Sequence, residues 1–131
     1  GNGVIGYGMT TLVLPNLDEF MFHELFHVVQ TGRSTLRMSL NNEVEAYLAQ
    51  FLYAESKQGS GTSTIPGIGT MASYFDWETR EFKFNNDNDR ENFDDAYWEA
   101  MAYLMNSSQY AGYEWSAVQS FNTLYKIFGK Q

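Results

Sequence analysis

Both histidines of this 131-residue chain lie in one short segment, His23-Glu24-Leu25-Phe26-His27. On a helix, side chains four residues apart share one face, with Cβ atoms about 5–6 Å apart. His23 and His27 are therefore placed to bind one tetrahedral Zn²⁺ through neutral imidazole nitrogens. Glu24 is rotated by one residue, so it reaches a water molecule on the metal and takes its proton as general base. The segment predicts a hydrolytic zinc site.

A zinc site with one open position needs a third protein ligand, and the sequence restricts its type. The chain contains no cysteine and no third histidine. The long metzincin motif is excluded as well, because Gln30 and Arg33 stand where that motif has Gly and His. We therefore expect a carboxylate ligand, and the next predicted helix offers Glu43 and Glu45 in the run NNEVEAYLAQ.

Residues 17 to about 55 resemble the gluzincin zinc metallopeptidases. In that class a Glu from the helix after H-E-x-x-H completes the site, often within an E-x-x-A pattern, and Glu43-Val44-Glu45-Ala46 fits the pattern with Glu43 as ligand. The same run is similar to the E-x-E-A of membrane-type gluzincins and of repressor-cleaving bacterial peptidases. The resemblance implies Zn²⁺ held by His23, His27 and Glu43, with Glu24 as the base that activates water for hydrolysis of a peptide or protein substrate.

The resemblance departs from the family pattern at one position. Those families often carry Asp or Asn directly after the Ala, where it supports a metal ligand, whereas this chain has Tyr47. A different residue must then orient the two histidines.

Glu43 and Glu45 cannot both face the zinc, because they lie about 200° apart around a helix. If Asn42 caps the helix, Glu45 is its third residue and completes a reciprocal capping box. That separate role favours Glu43 as the ligand and leaves Glu45 as the alternative.

A peptidase also needs an edge strand to hold substrate and a hydrogen-bond donor for the oxyanion. Residues 9–14, just before the metal helix, are the candidate edge strand. Spacing does not single out the donor, and the candidates are a class of tyrosines and one arginine: Tyr47, Tyr74, Tyr97, Tyr110 and Arg33.

The elements that must position these residues are mostly helices. The pattern predicts a strand over 4–14 and four helices, over about 17–30, 41–56, 93–105 and 113–128, with 57–70 as a loop and 71–84 undecided. Asn16 is the predicted N-cap of the first helix and Gly32 its left-handed C-cap. The expected fold is mainly α (α+β) and zincin-like: a short N-terminal strand, the metal helix, the Glu helix and two C-terminal helices. We expect a single domain over 1–131, either minimal or the C-terminal part of a longer chain.

Composition restricts the classes of partner that the chain can bind, and two rival interpretations of the sequence remain. The net charge of −8 argues against nucleic acid as a partner, no apolar run is long enough to span a membrane, and the absence of cysteine does not fix the compartment. One rival is a zincin-like domain that binds metal or a protein partner without turnover. The other is an aromatic-rich helical binding module, since 17% of residues are aromatic, in which H-E-x-x-H is coincidental.

Overall fold

A computed structural model describes residues 17–32 and 39–130, which fold mainly as helices with one small antiparallel hairpin. The elements in chain order are α1 (Glu19–Thr31), α2 (Leu40–Gln58), α3 (Ile68–Ala72), β1 (Phe75–Asp76), β2 (Glu81–Phe82), α4 (Asp87–Met105), a 3₁₀ turn (Ser108–Tyr110) and α5 (Asn122–Phe128). The mainly helical prediction is confirmed for these residues. The predicted strand over 4–14 lies outside them.

Helix α2 is the centre of the packing. It contacts α1, α3, α4 and α5, and its Val44, Leu48 and Leu52 have no exposed surface. A helix enclosed on several sides is held rigidly, because interiors pack densely and shifts of one helix create voids or clashes. Residues on the first turns of α2 therefore have a fixed position relative to α1.

The starts of α1 and α2 differ from the predicted ones. The N-cap of α1 is Asp18, whose carboxylate accepts from the Met21 amide at 2.8 Å, so the prediction of Asn16 was wrong. The N-cap of α2 is Ser39, whose hydroxyl accepts from the Asn42 amide at 3.1 Å, so Asn42 does not cap the helix. The side chain of Leu40 is buried, and its packing favours a helix that begins at this residue. The left-handed C-cap at Gly32 is confirmed.

The C-terminal helices were correct in number and wrong in extent. Helix α4 begins at Asp87 rather than near residue 93, because the polar residues before that point form its acidic first turns, which the helix dipole favours. Helix α5 begins only at Asn122, because the chain before it pairs with the start of α2 through a bridge between Ser39 and Glu114. The loop predicted over 57–70 was too long, because α2 extends to Gln58 and α3 begins at Ile68. The undecided segment holds the end of α3 and the hairpin, in which Phe75 lies opposite Phe82.

Candidate metal centre

Two helices supply the three side chains of the candidate centre. His23 and His27 lie one turn apart on α1, and Glu43 lies in the first turn of α2. Phe22 and Phe26, on the neighbouring face of α1, are buried in the core and fix the rotation of that helix. The predicted grouping of the two histidines with Glu43 is therefore present in the fold, and the group could hold a metal ion.

The nitrogen and oxygen atoms of this group lie at distances that suit a shared ion. The two Nε2 atoms are 3.1 Å apart, His23 Nε2 lies 3.2 Å from Glu43 Oε1, and His27 Nε2 lies 3.1 Å from Glu43 Oε2. Ligands about 2.0–2.1 Å from a tetrahedral ion are separated from one another by roughly 3.3 Å. The three side chains are thus close to ligand spacing without further movement.

The second ring nitrogen of each histidine faces a glutamine oxygen. His23 Nδ1 lies 2.9 Å from Gln50 Oε1, and His27 Nδ1 lies 2.7 Å from Gln30 Oε1. An amide oxygen only accepts, so each neutral imidazole carries its proton on Nδ1 and leaves a lone pair on Nε2. Two lone pairs and a carboxylate then converge on one point, an arrangement that a cation stabilises. The donor set therefore fits a metal ion.

The pKa values of Glu43 and His27 are shifted in the directions that favour positive charge between these side chains. Burial alone raises the pKa of Glu43, but hydrogen bonds from His23 and His27 and their charge lower it to about 2. Burial lowers the pKa of His27, yet the hydrogen bond and charge of Glu43, helped by Gln30 and Glu24, leave that pKa raised. In the metal-free protein, Glu43 is consequently ionised, and its charge favours a proton on His27.

Glu24 is exposed and lines the same cleft as the three candidate ligands. The cleft has a volume of about 480 Å³, which lies within the range of ligand-binding sites. Its remaining walls combine apolar and polar side chains of α1, α2 and the 3₁₀ turn region: Phe20, Val28, Thr31, Tyr47, Gln50, Gln109, Tyr110 and Tyr113. The carboxylate of Glu24 is thus accessible to solvent and lies in the same cleft as the three largely buried candidate ligands.

Tyr47 and Tyr110 form a pair in the wall of the cleft. Their hydroxyl oxygens are 2.6 Å apart, and the ring of Tyr47 packs against that of His23. Burial raises the pKa of both phenols, and the charge of Glu43 raises it further. Both hydroxyls therefore keep their protons and are able to donate.

The structure separates the other predicted candidates from the centre. Tyr97 is buried and accepts from Asn41 at 2.8 Å, and Tyr74 packs against Phe84 and Phe93 at a different place in the fold. Neither lines the cleft. Arg33 and the predicted edge strand over 9–14 lie outside the described residues.

Glu45 has a different role from the predicted capping box. Its Oε1 accepts from Gln30 Nε2 and its Oε2 from the Leu124 amide, each at 2.8 Å. Burial raises its pKa, and these hydrogen bonds with the Thr123 amide oppose the rise. Both of its oxygens are engaged there, and among the described residues it is the ligand atoms of His23, His27 and Glu43 that lie close enough together to share an ion.

Sequence reasoning missed Gln30 and Gln50, the residues that orient the histidines in place of a residue at position 47. Helical spacing could have indicated both, because Gln30 lies three residues after His27, and Gln50 lies seven after Glu43. Such spacing places each glutamine on the same face as a ligand.

Comparison of the chain with protein-family models, with curated proteins and with solved structures gave no match. Within residues 17–32 and 39–130, no helix combines the length and apolar character needed to cross a bilayer.

Proposed function

We propose that this domain is a zinc-dependent, gluzincin-like metallopeptidase that hydrolyses peptide bonds. The observation that carries the proposal is that Glu24 opens onto the same cleft as the possible ligands His23, His27 and Glu43. A base beside a three-ligand nitrogen and carboxylate site is the arrangement used for hydrolysis in zinc enzymes.

The chain would hold Zn²⁺ through the Nε2 atoms of His23 and His27 and the carboxylate of Glu43. Neutral imidazole and carboxylate are ordinary zinc ligands. The chain contains no cysteine, so it offers no thiolate ligand. When bound, zinc lowers the pKa of water and polarises a carbonyl group.

Glu24 performs the proton transfers of the proposed reaction. Its carboxylate accepts a proton from water as the water oxygen bonds to the carbonyl carbon of the substrate. The same carboxyl group then gives that proton to the amide nitrogen as the C–N bond breaks, so the products are a carboxylic acid and an amine. Its exposure on α1 allows both substrate and water to reach it.

The pair of Tyr47 and Tyr110 supplies the oxyanion donor in this proposal. One hydroxyl proton is used in the 2.6 Å bond between them, and the other remains available to the cleft. A phenol that stays protonated stabilises developing negative charge on the carbonyl oxygen. The apolar side chains of Phe20 and Val28 extend the cleft wall along α1, where an unfolded peptide segment could lie.

The test combines metal analysis with cleavage assays. Wild-type protein should bind one zinc per chain and cleave unfolded protein or a peptide library. Glu24→Gln should retain zinc and lose cleavage, whereas Glu91→Gln, the same change at an exposed position of α4, should retain both. Zinc binding without any cleavage by wild type would favour the inactive metal-binding domain. Absence of stoichiometric zinc would favour the helical binding module.

A further inference from the structure

Glu45 connects the candidate centre to a distant part of the chain. It is buried, and its two oxygens accept from two different elements, Gln30 at the end of α1 and Leu124 in the first turn of α5. Phe121, the N-cap residue of α5, makes no side-chain capping bond, so Glu45 takes that role. The carboxylate therefore joins α1, α2 and α5 close to His27.

Glu45 and the backbone carbonyl of Asn42 together fix the orientation of the Gln30 amide. Gln30 Nε2 donates to Glu45 Oε1 at 2.8 Å and to the Asn42 carbonyl at 2.9 Å, and the backbone carbonyl and the ionised carboxylate only accept. Gln30 Oε1 must then be the atom that lies 2.7 Å from His27 Nδ1. Because that oxygen only accepts, the neutral imidazole of His27 carries its proton on Nδ1, and its Nε2 lone pair faces Glu43.

We infer that Glu45 is a positioning residue which, through Gln30, selects the metal-binding tautomer of His27. The inference rests on the metal site of the proposed function, although the tautomer itself is a property of the metal-free protein. It gives the two glutamates of Glu43-Val44-Glu45-Ala46 separate roles, since Glu43 faces the metal and Glu45 orients the ligand opposite it.

The arrangement around His23 provides the comparison. Its Nδ1 faces Gln50, whose Nε2 lies 3.5 Å from Glu19 Oε1 near the start of α1. That contact is at the limit of a hydrogen bond, whereas the Glu45 contact is short and buried. The same chemical change should consequently matter more at Glu45 than at Glu19.

The position requires a carboxylate rather than an amide. Glu45→Gln keeps the size of the side chain but leaves one acceptor oxygen where two are used. Its amide nitrogen must face either the Leu124 amide or Gln30. In the second case Gln30 turns over, gives up its hydrogen bond to the Asn42 carbonyl and presents Nε2 to His27 Nδ1. The His27 proton then moves to Nε2 and blocks the metal ligand atom.

The test uses two readouts on four proteins. The first is ¹⁵N NMR of the histidine rings in metal-free protein, at a pH high enough for both imidazoles to be neutral. The second is zinc affinity by competition with a chelator. Glu45→Gln should populate the Nε2–H form of His27 and weaken zinc binding by about 10-fold or more. Glu19→Gln should leave the His27 tautomer unchanged.

The double variant Gln30→Glu with Glu45→Gln distinguishes positioning from a loss of packing. In it, one oxygen of the carboxylate at position 30 accepts from His27 Nδ1 and the other from the amide at position 45, while the Asn42 carbonyl loses its donor at position 30. The oxygen of the amide at position 45 accepts from Leu124. The Nδ1–H tautomer should therefore return, with part of the zinc affinity.

A further variant covers the case in which Glu45→Gln fails to fold. Gln30→Met tests the same step while leaving the bond between Glu45 and Leu124 intact. Retention of the Nδ1–H form in the single variants, or no recovery in the double variant, would overturn the inference. Failure of the proposed peptidase would appear only in the cleavage assay and would not alter the NMR result.

Discussion

His23 and His27 present their Nε2 atoms to each other at 3.1 Å, while each Nδ1 atom faces an amide oxygen. Neutral imidazoles in that tautomer place two lone pairs against one another beside the Glu43 carboxylate. The arrangement is unfavourable unless positive charge lies among the three groups, and in the metal-free protein it raises the pKa of His27. The folded protein therefore holds together three groups that a cation between them would stabilise.

Zinc should stabilise the protein through this group. A ligand that binds only the folded state at about 100 times its Kd adds about 2.7 kcal/mol to the free energy of unfolding. We expect that increase for wild type in denaturant titrations with buffered zinc, compared with chelator. His23→Ala should remove most of it, and Glu78→Ala, at an exposed position of the hairpin, should not. An equal zinc effect on His23→Ala and wild type would place the metal elsewhere.

Zinc should remove the loss of stability that titration of His27 causes as pH rises. The folded-state pKa of His27 is raised above 6.5, so its protonated form stabilises metal-free protein fully below pH 6.5, and this contribution disappears as pH rises through the raised pKa. Glu43, with its pKa lowered to about 2, is ionised throughout that window. Zinc competes with the proton on His27, so stabilisation by zinc should grow as pH rises.

The measurement for His27 is thermal unfolding between about pH 6 and 9 (a range that brackets the histidine pKa), with chelator and with zinc. In chelator, wild type should lose stability with rising pH relative to His27→Gln, which lacks the titrating group. With zinc, the wild-type excess should instead rise up to about pH 6.5, where the unfolded histidine loses its proton, and then stay level. Parallel curves for the two proteins in chelator would contradict the assigned ion pair with Glu43.

A side chain at position 67 should lower the stability of the protein without affecting the candidate metal centre. Gly67 caps the start of α3 with φ of 91°, and a Cβ there would collide with the Ala96 carbonyl on α4. Gly32 has a similar φ of 69°, but a Cβ would meet nothing within 4 Å. Gly32→Ala should cost about 1 kcal/mol, whereas Gly67→Ala should cost clearly more because the helices must also separate. Equal losses in denaturant unfolding would contradict the close α3–α4 packing.

The central part of the site was accessible to sequence reasoning because its geometry is local. His23, Glu24 and His27 need only one helix, and Glu43 needs only the first turn of the next. The helix starts were less determined, since several polar residues adjoin each one: Asp18 rather than Asn16 caps α1, and Ser39 rather than Asn42 caps α2. Which polar residue caps depends on the burial of the apolar residue that follows, which no short pattern records.

The contacts of Glu45 depend on tertiary structure and were beyond sequence reasoning. Leu124 is 79 residues further along the chain, and its amide reaches Glu45 only because α5 packs against α2. Residues 113–128 were predicted as one helix from apolar spacing alone. In the fold only Asn122–Phe128 is helical, since Glu114 pairs with Ser39 in an extended bridge. Long-range pairing thus overrides local periodicity there.

The tyrosine pair should affect turnover rather than metal binding. Removing one oxyanion donor commonly lowers kcat by about 10²-fold or more, so Tyr110→Phe or Tyr47→Phe should reduce kcat with zinc content unchanged. Because each hydroxyl holds the other at 2.6 Å, the double variant should be little worse than the more affected single variant. Tyr74→Phe is the matched control, since Tyr74 lies away from the cleft and was an equal candidate by sequence. The comparison needs kcat and KM on one peptide with zinc measured in each preparation. Full activity in both single variants, or an equal loss in Tyr74→Phe, would exclude the pair as the donor, because a hydroxyl that stabilises the transition state must lower kcat when it is removed.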